Sequence, residues 1–283
     1  MIRTHIVSFI ESIAKQENAF DILEEEVDKT SKDDLGKELL SCGIIPERYG
    51  HDSSEEKLWA KYCDILLNKT FNHLNIRSEV IRVRGDSADI RGAADDYSVV
   101  ADAKAFRLSR TAKNQKDFKV TALDDWRRGD TYACLVAPLY QFPNRSSQIY
   151  LQAEEKNVTL LSYVHIKYLL DHITDESIEP VWNIAGALNP SKKARRYWEA
   201  VDDNVVAITN TSFEELHRYK QMVTQAAKVV GEEGILYWES MKREYQLLTK
   251  EEAIKKLIQS EKIDQKIEVI RKAIDKVNQS HYG

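Results

Sequence analysis

The stretch Asp96–Phe106, DYSVVADAKAF, is apolar and β-branched enough for a core strand, yet it carries a carboxylate and an ammonium. Side chains alternate along a strand. Val100, Asp102, Lys104 and Phe106 therefore share one face, and Val99, Ala101, Ala103 and Ala105 the other. The alanine face suits close packing beneath a helix. The other face takes two charges, about 7 Å apart along the strand, to the end of a core element. Burial there is costly unless partners offset it, so the fold must bring something to that strand end.

The preceding segments SEVIRVRG and SADIRGA alternate in the same period, with Gly85 and Asp95-Asp96 as breaks, and predict two or three antiparallel strands. If Asp95-Asp96 is a two-residue turn, Ala94 faces Tyr97 and Asp89 falls opposite Asp102. Asp86 lands on the other face. Opposed carboxylates repel unless a cation lies between them, and hard oxygen ligands suit Mg²⁺, one or two ions per site, with the Ala103 carbonyl as a further ligand. Asp89, Asp102 and Lys104 then form a phosphodiester-cleaving set: the ion polarises the phosphate and acidifies a water, and the lysine steadies the developing charge. The plainer alternative is a strand salt bridge, because D-x-K recurs in many chains. Glu56 has two readings as well. It is either the capping-box partner of Ser53 or, in helical register with Trp59 and Cys63, a ligand aimed at the sheet for a second metal.

The rest of the chain frames these residues. Residues 1–50 read as a helical segment, with Ile6, Phe9, Ile10 and Ile13 at helical spacing. Residues 51–178 read as an α/β core. SSEEKLWAKYCDILLNKTF is its long first helix, KDFKVTALDDWRR a further helix, and TYACLVAPLY a buried strand closed by Pro138. A helix from Ser146 to Glu155, the strand NVTLLSYV and the helix HIKYLLDHI follow. This order predicts a mixed β-sheet flanked by helices. Residues 179–283 read as a helical C-terminal region, entered through the connection Pro180 to Pro190 and the basic cluster SKKARR, a linker or else a contact to a phosphate backbone. Its last helix spaces Ile263, Ile267, Ile270, Ile274 and Val277 in an a/d-like pattern. His165 and His172 share a helix face without a metal-binding partner and read as ordinary helix residues. With only 10 Gly and 5 Pro in 283 residues, long disordered or collagenous stretches are excluded. Three scattered cysteines (Cys42, Cys63, Cys134) argue against a disulfide framework or a zinc site and fit a reducing cytoplasm. No apolar run is long enough for a membrane helix, and MIRTHIVSFIESIAKQ meets a Glu too early for a signal peptide.

From Lys104 a basic residue falls at every third position (Arg107, Arg110, Lys113, Lys116, Lys119) in a chain of net charge −5. Steps of three turn about −60° each on a helix, so the six would sweep around it and form no single face. An irregular loop after Phe106 accounts for the period better. It can lay Arg107, Arg110 and Lys113 along a phosphate backbone. In NQKDFK, Asn114 and Gln115 can pair with adenine, Lys116 or Lys119 with guanine, and Asp117 can accept from cytosine or bind metal. A solvated basic surface is the alternative.

The block VADAKAFRLSRTAKNQKDFKVTAL closely resembles the central segment of the HindIII-type type II restriction endonucleases, within the PD-(D/E)xK nuclease superfamily. The likeness continues more loosely through SSEEKLWAKYCDILL, RGDSADI and TYACLVAP, over roughly residues 40 to 170. It implies a restriction-endonuclease-like fold and a homodimer making Mg²⁺-dependent double-strand cuts at a short palindrome with 5′ overhangs. Because RTAKNQKDFK is retained, it implies the AAGCTT hexamer. Asp102 and Lys104 match the acidic residue and lysine of (D/E)xK, Asp89 the upstream aspartate, and Asp117 a functional carboxylate of the family. The hairpin between Asp89 and Asp102 is shorter than the family pattern by two residues. The resemblance also implies dimerisation and DNA embrace by the C-terminal helices, and a cognate DNA methyltransferase in the same system but not in a stable complex. A non-catalytic sequence-specific DNA-binding protein and a structure-selective repair or recombination nuclease on the same fold remain as alternatives.

Overall fold

Helices α1 (Ile2–Ile13), α2 (Ala19–Asp28) and α3 (Lys32–Glu38) open the chain and pack on α4 (Ser54–His73). In this computed structural model residues 2–82, 87–110, 115–174 and 176–280 are described, and Gly85 and Asp86 lie outside them. Ile6, Ile10 and Ile13 are buried, as their helical spacing requires. The Ser53 side chain caps α4 by accepting from the Glu56 N–H at 3.1 Å. One face of α4 then buries Trp59, Cys63, Leu66 and Thr70.

Strands β1 (Arg77–Val80), β2 (Ile90–Ala93) and β3 (Ser98–Ala103) pair antiparallel. Two short helices, α5 (Gln115–Phe118) and α6 (Val120–Arg127), lead to β4 (Tyr132–Ala137). Helix α7 (Gln148–Lys156), strand β5 (Val158–Ser162) and helix α8 (Tyr163–His172) complete the α/β unit. The sheet runs β1-β2-β3-β4-β5, with β3, β4 and β5 parallel. Burial follows pairing. β5 is buried at every position, whereas β2 alternates buried and exposed, because helices cover the parallel half and water reaches one face of the antiparallel edge.

KDFKVTALDDWRR is not one helix. It breaks at Lys119, whose backbone turns left-handed (φ 48°) between α5 and α6. SKKARR is not a linker either. The Ser147 N–H donates to the Lys192 carbonyl at 2.9 Å and the Ala194 N–H to the Arg145 carbonyl at 3.0 Å, so the segment is tied down before helix α10 (Ala194–Ile208). Helix α9 (Glu179–Trp182) precedes it, and α11 (Phe213–Gln246), α12 (Lys250–Ser260) and α13 (Ile263–Ser280) follow.

The chain divides into two units, Met1–Gly234 and Ile235–Gly283. The first contains the sheet. In the second, α12 begins at a capping box of Thr249 and Glu252 and packs on α13, whose Ile263, Ile267 and Ile270 are exposed. The side chains of Ile274 and Val277 lie outside the described residues. Cys42, Cys63 and Cys134 are free and buried, and among the described residues no helix is long and apolar enough to cross a membrane.

Candidate functional site

The β2–β3 hairpin closes at Asp95-Asp96, where the Ala94 N–H donates to the Tyr97 carbonyl at 2.9 Å. Ile90 pairs with Ala101 and Ala93 with Ser98. That register sets Asp89, one residue beyond β2, across from Asp102, and the Asp89 N–H donates to the Ala101 carbonyl at 3.2 Å. The far side of β3 is held as firmly. The Lys104 N–H donates to the Val136 carbonyl at 2.8 Å, and the Tyr163 hydroxyl to the Lys104 carbonyl at 3.0 Å. Gly43 makes this possible, because a Cβ there would come within 2.6 Å of both the Tyr163 ring and Pro138. Since Lys104 bonds towards β4, strand alternation turns the Ala103 carbonyl towards the β2 side, where Asp89 stands.

Asp102 is fully buried. Lys104 Nζ lies 2.6 Å from its Oδ1 and 2.5 Å from its Oδ2, but only Oδ1 has hydrogen-bond geometry, and Oδ2 is left buried without a hydrogen-bond partner. Burial, against the pull of Lys104 and with the push of Asp89, raises the Asp102 carboxyl to about 6. Burial acts on Asp89 in the same direction, but the neighbouring Asp102 carboxyl, once it carries the pair's proton, and the charge of Lys61 outweigh it and hold that carboxyl below its ordinary value. The two behave as a coupled pair of like charges, one of which takes the proton first. Burial would lower Lys104, yet Asp102 and Asp89 overcome it and keep the ammonium charged. Two opposed carboxylates, one of them with an oxygen that accepts no hydrogen bond, and a main-chain carbonyl on one side form a donor set that fits a hard divalent cation.

Two residues that the sequence reading did not single out complete this cluster. Lys61 of α4 places Nζ 2.9 Å from Asp89 Oδ1 and 2.9 Å from Oδ2 of the buried Asp64. Burial and the nearby Asp89 push the Asp64 carboxyl well up, against the pull of Lys61. The available signal was a charged pair inside the apolar run WAKYCDILL, since an Asp amid core positions needs a partner.

Glu56 stands elsewhere. Eight residues separate it from Asp64, about 12 Å along the helix axis. Its carboxylate accepts from the Asp52 N–H at 2.6 Å and pairs with Arg107 at 2.9 Å. His51, Asp52 and Glu56 offer ligand atoms within 4.8 Å of one another, in an exposed cluster of a kind common without an ion.

The basic period resolves into pairs. Arg107 bonds to Glu56 and to the Gly50 carbonyl at 3.0 Å, and Arg110 reaches Asp117 at 3.0 Å while remaining largely exposed. Lys119 lies 5.8 Å from the centre of the Trp126 ring. Lys113 and Asn114 lie outside the described residues, as do the side chains of Gln115 and Lys116. Lys104, Arg107 and Arg110 thus each meet a carboxylate from a different part of the chain.

A mixed sheet that carries opposed carboxylates and a lysine at the end of a core strand has the build of a phosphodiester-cleaving enzyme. The chain belongs to the HindIII restriction endonuclease family, whose model matches residues 7–274. It is 34% identical over 282 residues to the type II restriction enzyme HindIII of Haemophilus influenzae, covering 94% of this chain and 92% of that one. A distant likeness, with 9% identity and a TM-score of 0.28, links 58% of this chain to 89% of the small subunit of the heterodimeric restriction endonuclease R.BspD6I. The protein is a type II restriction endonuclease, a site-specific deoxyribonuclease.

Proposed function

We propose that this enzyme is cytoplasmic and makes Mg²⁺-dependent double-strand cuts with 5′ overhangs at the palindrome AAGCTT. The observation that supports the metal reading is the fully buried Asp102, whose Oδ2 is ion-paired with Lys104 but accepts no hydrogen bond, set across the hairpin from Asp89. Asp89, Asp102 and the Ala103 carbonyl would hold one or two Mg²⁺ ions, with Asp117 as a further candidate ligand. The ion supplies polarisation of the scissile phosphate and a more acidic water. Lys104 lies beside Asp102, where its ammonium can orient the attacking water and steady negative charge as the phosphate is attacked in line. Asp102 keeps that ammonium in place, and β4 and Tyr163 keep the strand end from moving. Glu56, proposed from sequence as a catalytic or second-metal residue, is better read as the clamp on Arg107.

DNA would lie along the segment that leaves β3, with Arg107, Arg110, Lys113, Asn114, Lys116, Asp117 and Lys119 as its contacts. Exposed Arg110 is free on one side to meet a phosphate, and Asp117 beside it can accept from a base. A palindrome is read by a protein with its own two-fold axis, so the active form is a homodimer. The C-terminal helices, with their exposed isoleucines, are the proposed site of dimerisation.

The test is digestion of plasmid of known sequence with and without Mg²⁺, followed by sequencing of the ends. Discrete fragments whose ends fall at AAGCTT sites, lost in EDTA and in Asp102→Ala, are expected. Cleavage that persists in the mutant ends the assignment of the site, and fragments bounded by another sequence end the assignment of the target.

A further inference from the structure

Lys61 is a cation set between two carboxylates of different origin. Asp64 shares its helix, three residues on, and Asp89 comes from the hairpin, 28 positions away. The ammonium stands 2.9 Å from an oxygen of each. Asp64 is almost fully buried and Lys61 is its hydrogen-bond partner, so α4 carries its own anchor for the lysine. On the other side Asp89 receives Lys61 on Oδ1 and stands across from Asp102 in the hairpin register. Three aspartates (Asp64, Asp89, Asp102) and two lysines (Lys61, Lys104) therefore crowd one strand end, with one more carboxyl than ammonium.

We infer that Lys61, anchored by Asp64, is a positioning residue that stands in for the divalent ion in the metal-free enzyme, offsetting the repulsion at Asp89 and holding its carboxylate turned towards Asp102. This rests on the reading of Asp89 and Asp102 as the metal-holding pair. Without such a counter-ion, closing the hairpin on Asp102 brings like charges together in a poorly hydrated place, and the strand end would order only when metal arrived. With it, the ligands are arranged in advance. The incoming ion and Lys61 then draw on the same carboxylate, so part of the stabilisation that metal would bring is already present.

The test compares the full-length protein with Lys61→Met and Lys61→Gln, by thermal melting in EDTA and over a titration with Mn²⁺. A lost structural salt bridge lowers the melting temperature by the same amount at every metal concentration. A lost stand-in is made good by metal. The expected result is a lower melting temperature in EDTA for both variants, a metal-induced rise roughly twice that of the parent, and convergence at saturating Mn²⁺. Lys61→Gln keeps donor groups without the charge, so it must behave like Lys61→Met and serves if that variant does not fold. A deficit unchanged by metal, or a glutamine variant that responds like the parent, overturns the inference. The two readings separate cleanly. If the parent cuts DNA with Mg²⁺ while the variants show no enhanced metal response, Lys61 alone is wrongly assigned. If Asp102→Ala also cuts, the metal-holding pair itself is.

Discussion

Two strands of the same parallel half end in buried ionisable groups, and the contrast between them separates a site from a scaffold. Just past the end of β5, in the first turn of α8, His165 is fully buried and both ring nitrogens have a partner. Its Nδ1 accepts from the Ser162 N–H at 3.2 Å and lies 3.0 Å from the Ser162 hydroxyl; its Nε2 lies 3.1 Å from Asp202 Oδ1. Lys220 completes Asp202, and the Trp198 ring stacks on the imidazole, with ring centres 5.7 Å apart. The end of β3 is the opposite. Asp102 is equally buried, faces a second carboxylate and keeps one oxygen without a hydrogen bond. A closed network holds elements together, whereas an open one, rich in like charge, is costly to maintain unless it has something to bind.

The comparison can be broken most directly at Asp102. Asp102→Ala should lower cleavage by at least about 10³-fold in a plasmid-nicking assay, since it removes a group acting on the reacting centre. Its urea-unfolding stability should change by no more than about 1 kcal/mol, because the partially exposed Lys104 it leaves behind can turn to water. A fall in stability as large as that at β5 would erase the distinction.

His165→Ala should do the reverse. Loss of a buried ring and its hydrogen bonds is expected to cost about 2–3 kcal/mol in urea unfolding, with cleavage below the melting temperature kept within about twofold. A folded variant that no longer cuts would place β5 in the site.

The same histidine sharpens the contrast through pH. Burial lowers its folded pKa from the ordinary 6.5, and the bond to Asp202 only partly opposes this. The unfolded chain therefore takes up the proton first. Stability is fully present above pH 6.5 and is lost as pH falls below it towards the depressed folded value. Unfolding curves between about pH 7 and about pH 5 should slope downward in the parent, and His165→Gln should flatten that slope. An unchanged slope would mean the network does not govern acid stability.

The smallest expected effect belongs to the basic segment. Arg110 is mostly exposed in its pair with Asp117, so Arg110→Ala should cost at most about 0.5 kcal/mol of stability. On DNA it should reduce the slope of log affinity against log salt by about 1, the mark of one lost phosphate contact. A salt slope identical to the parent's would leave Arg110 as a salt bridge alone.

The strand pattern and the Asp95-Asp96 turn are local, and with period-two alternation they were enough to place Asp89 across from Asp102. The Lys119 break was hidden, because one left-handed residue leaves no mark in a helical pattern. The threefold basic period looked like a ladder for DNA, but its partners Asp102, Glu56 and Asp117 come from three different elements. Strand alternation put Lys104 beside Asp102, but no spacing rule could bring Glu56 to Arg107.

The same division runs through the whole protein. Sequence alone determined the order of helices and strands, the mixed sheet and the register of the hairpin, because hydrophobic period and turn chemistry act between near neighbours. Tertiary structure decided that Lys61 and Asp64, rather than Glu56, stand over the hairpin end, and which carboxylate oxygen there is left without a hydrogen bond. Those outcomes depend on how far along α4 the helix lies across the sheet, and that is set by the packing of Trp59, Cys63 and Leu66 into the core.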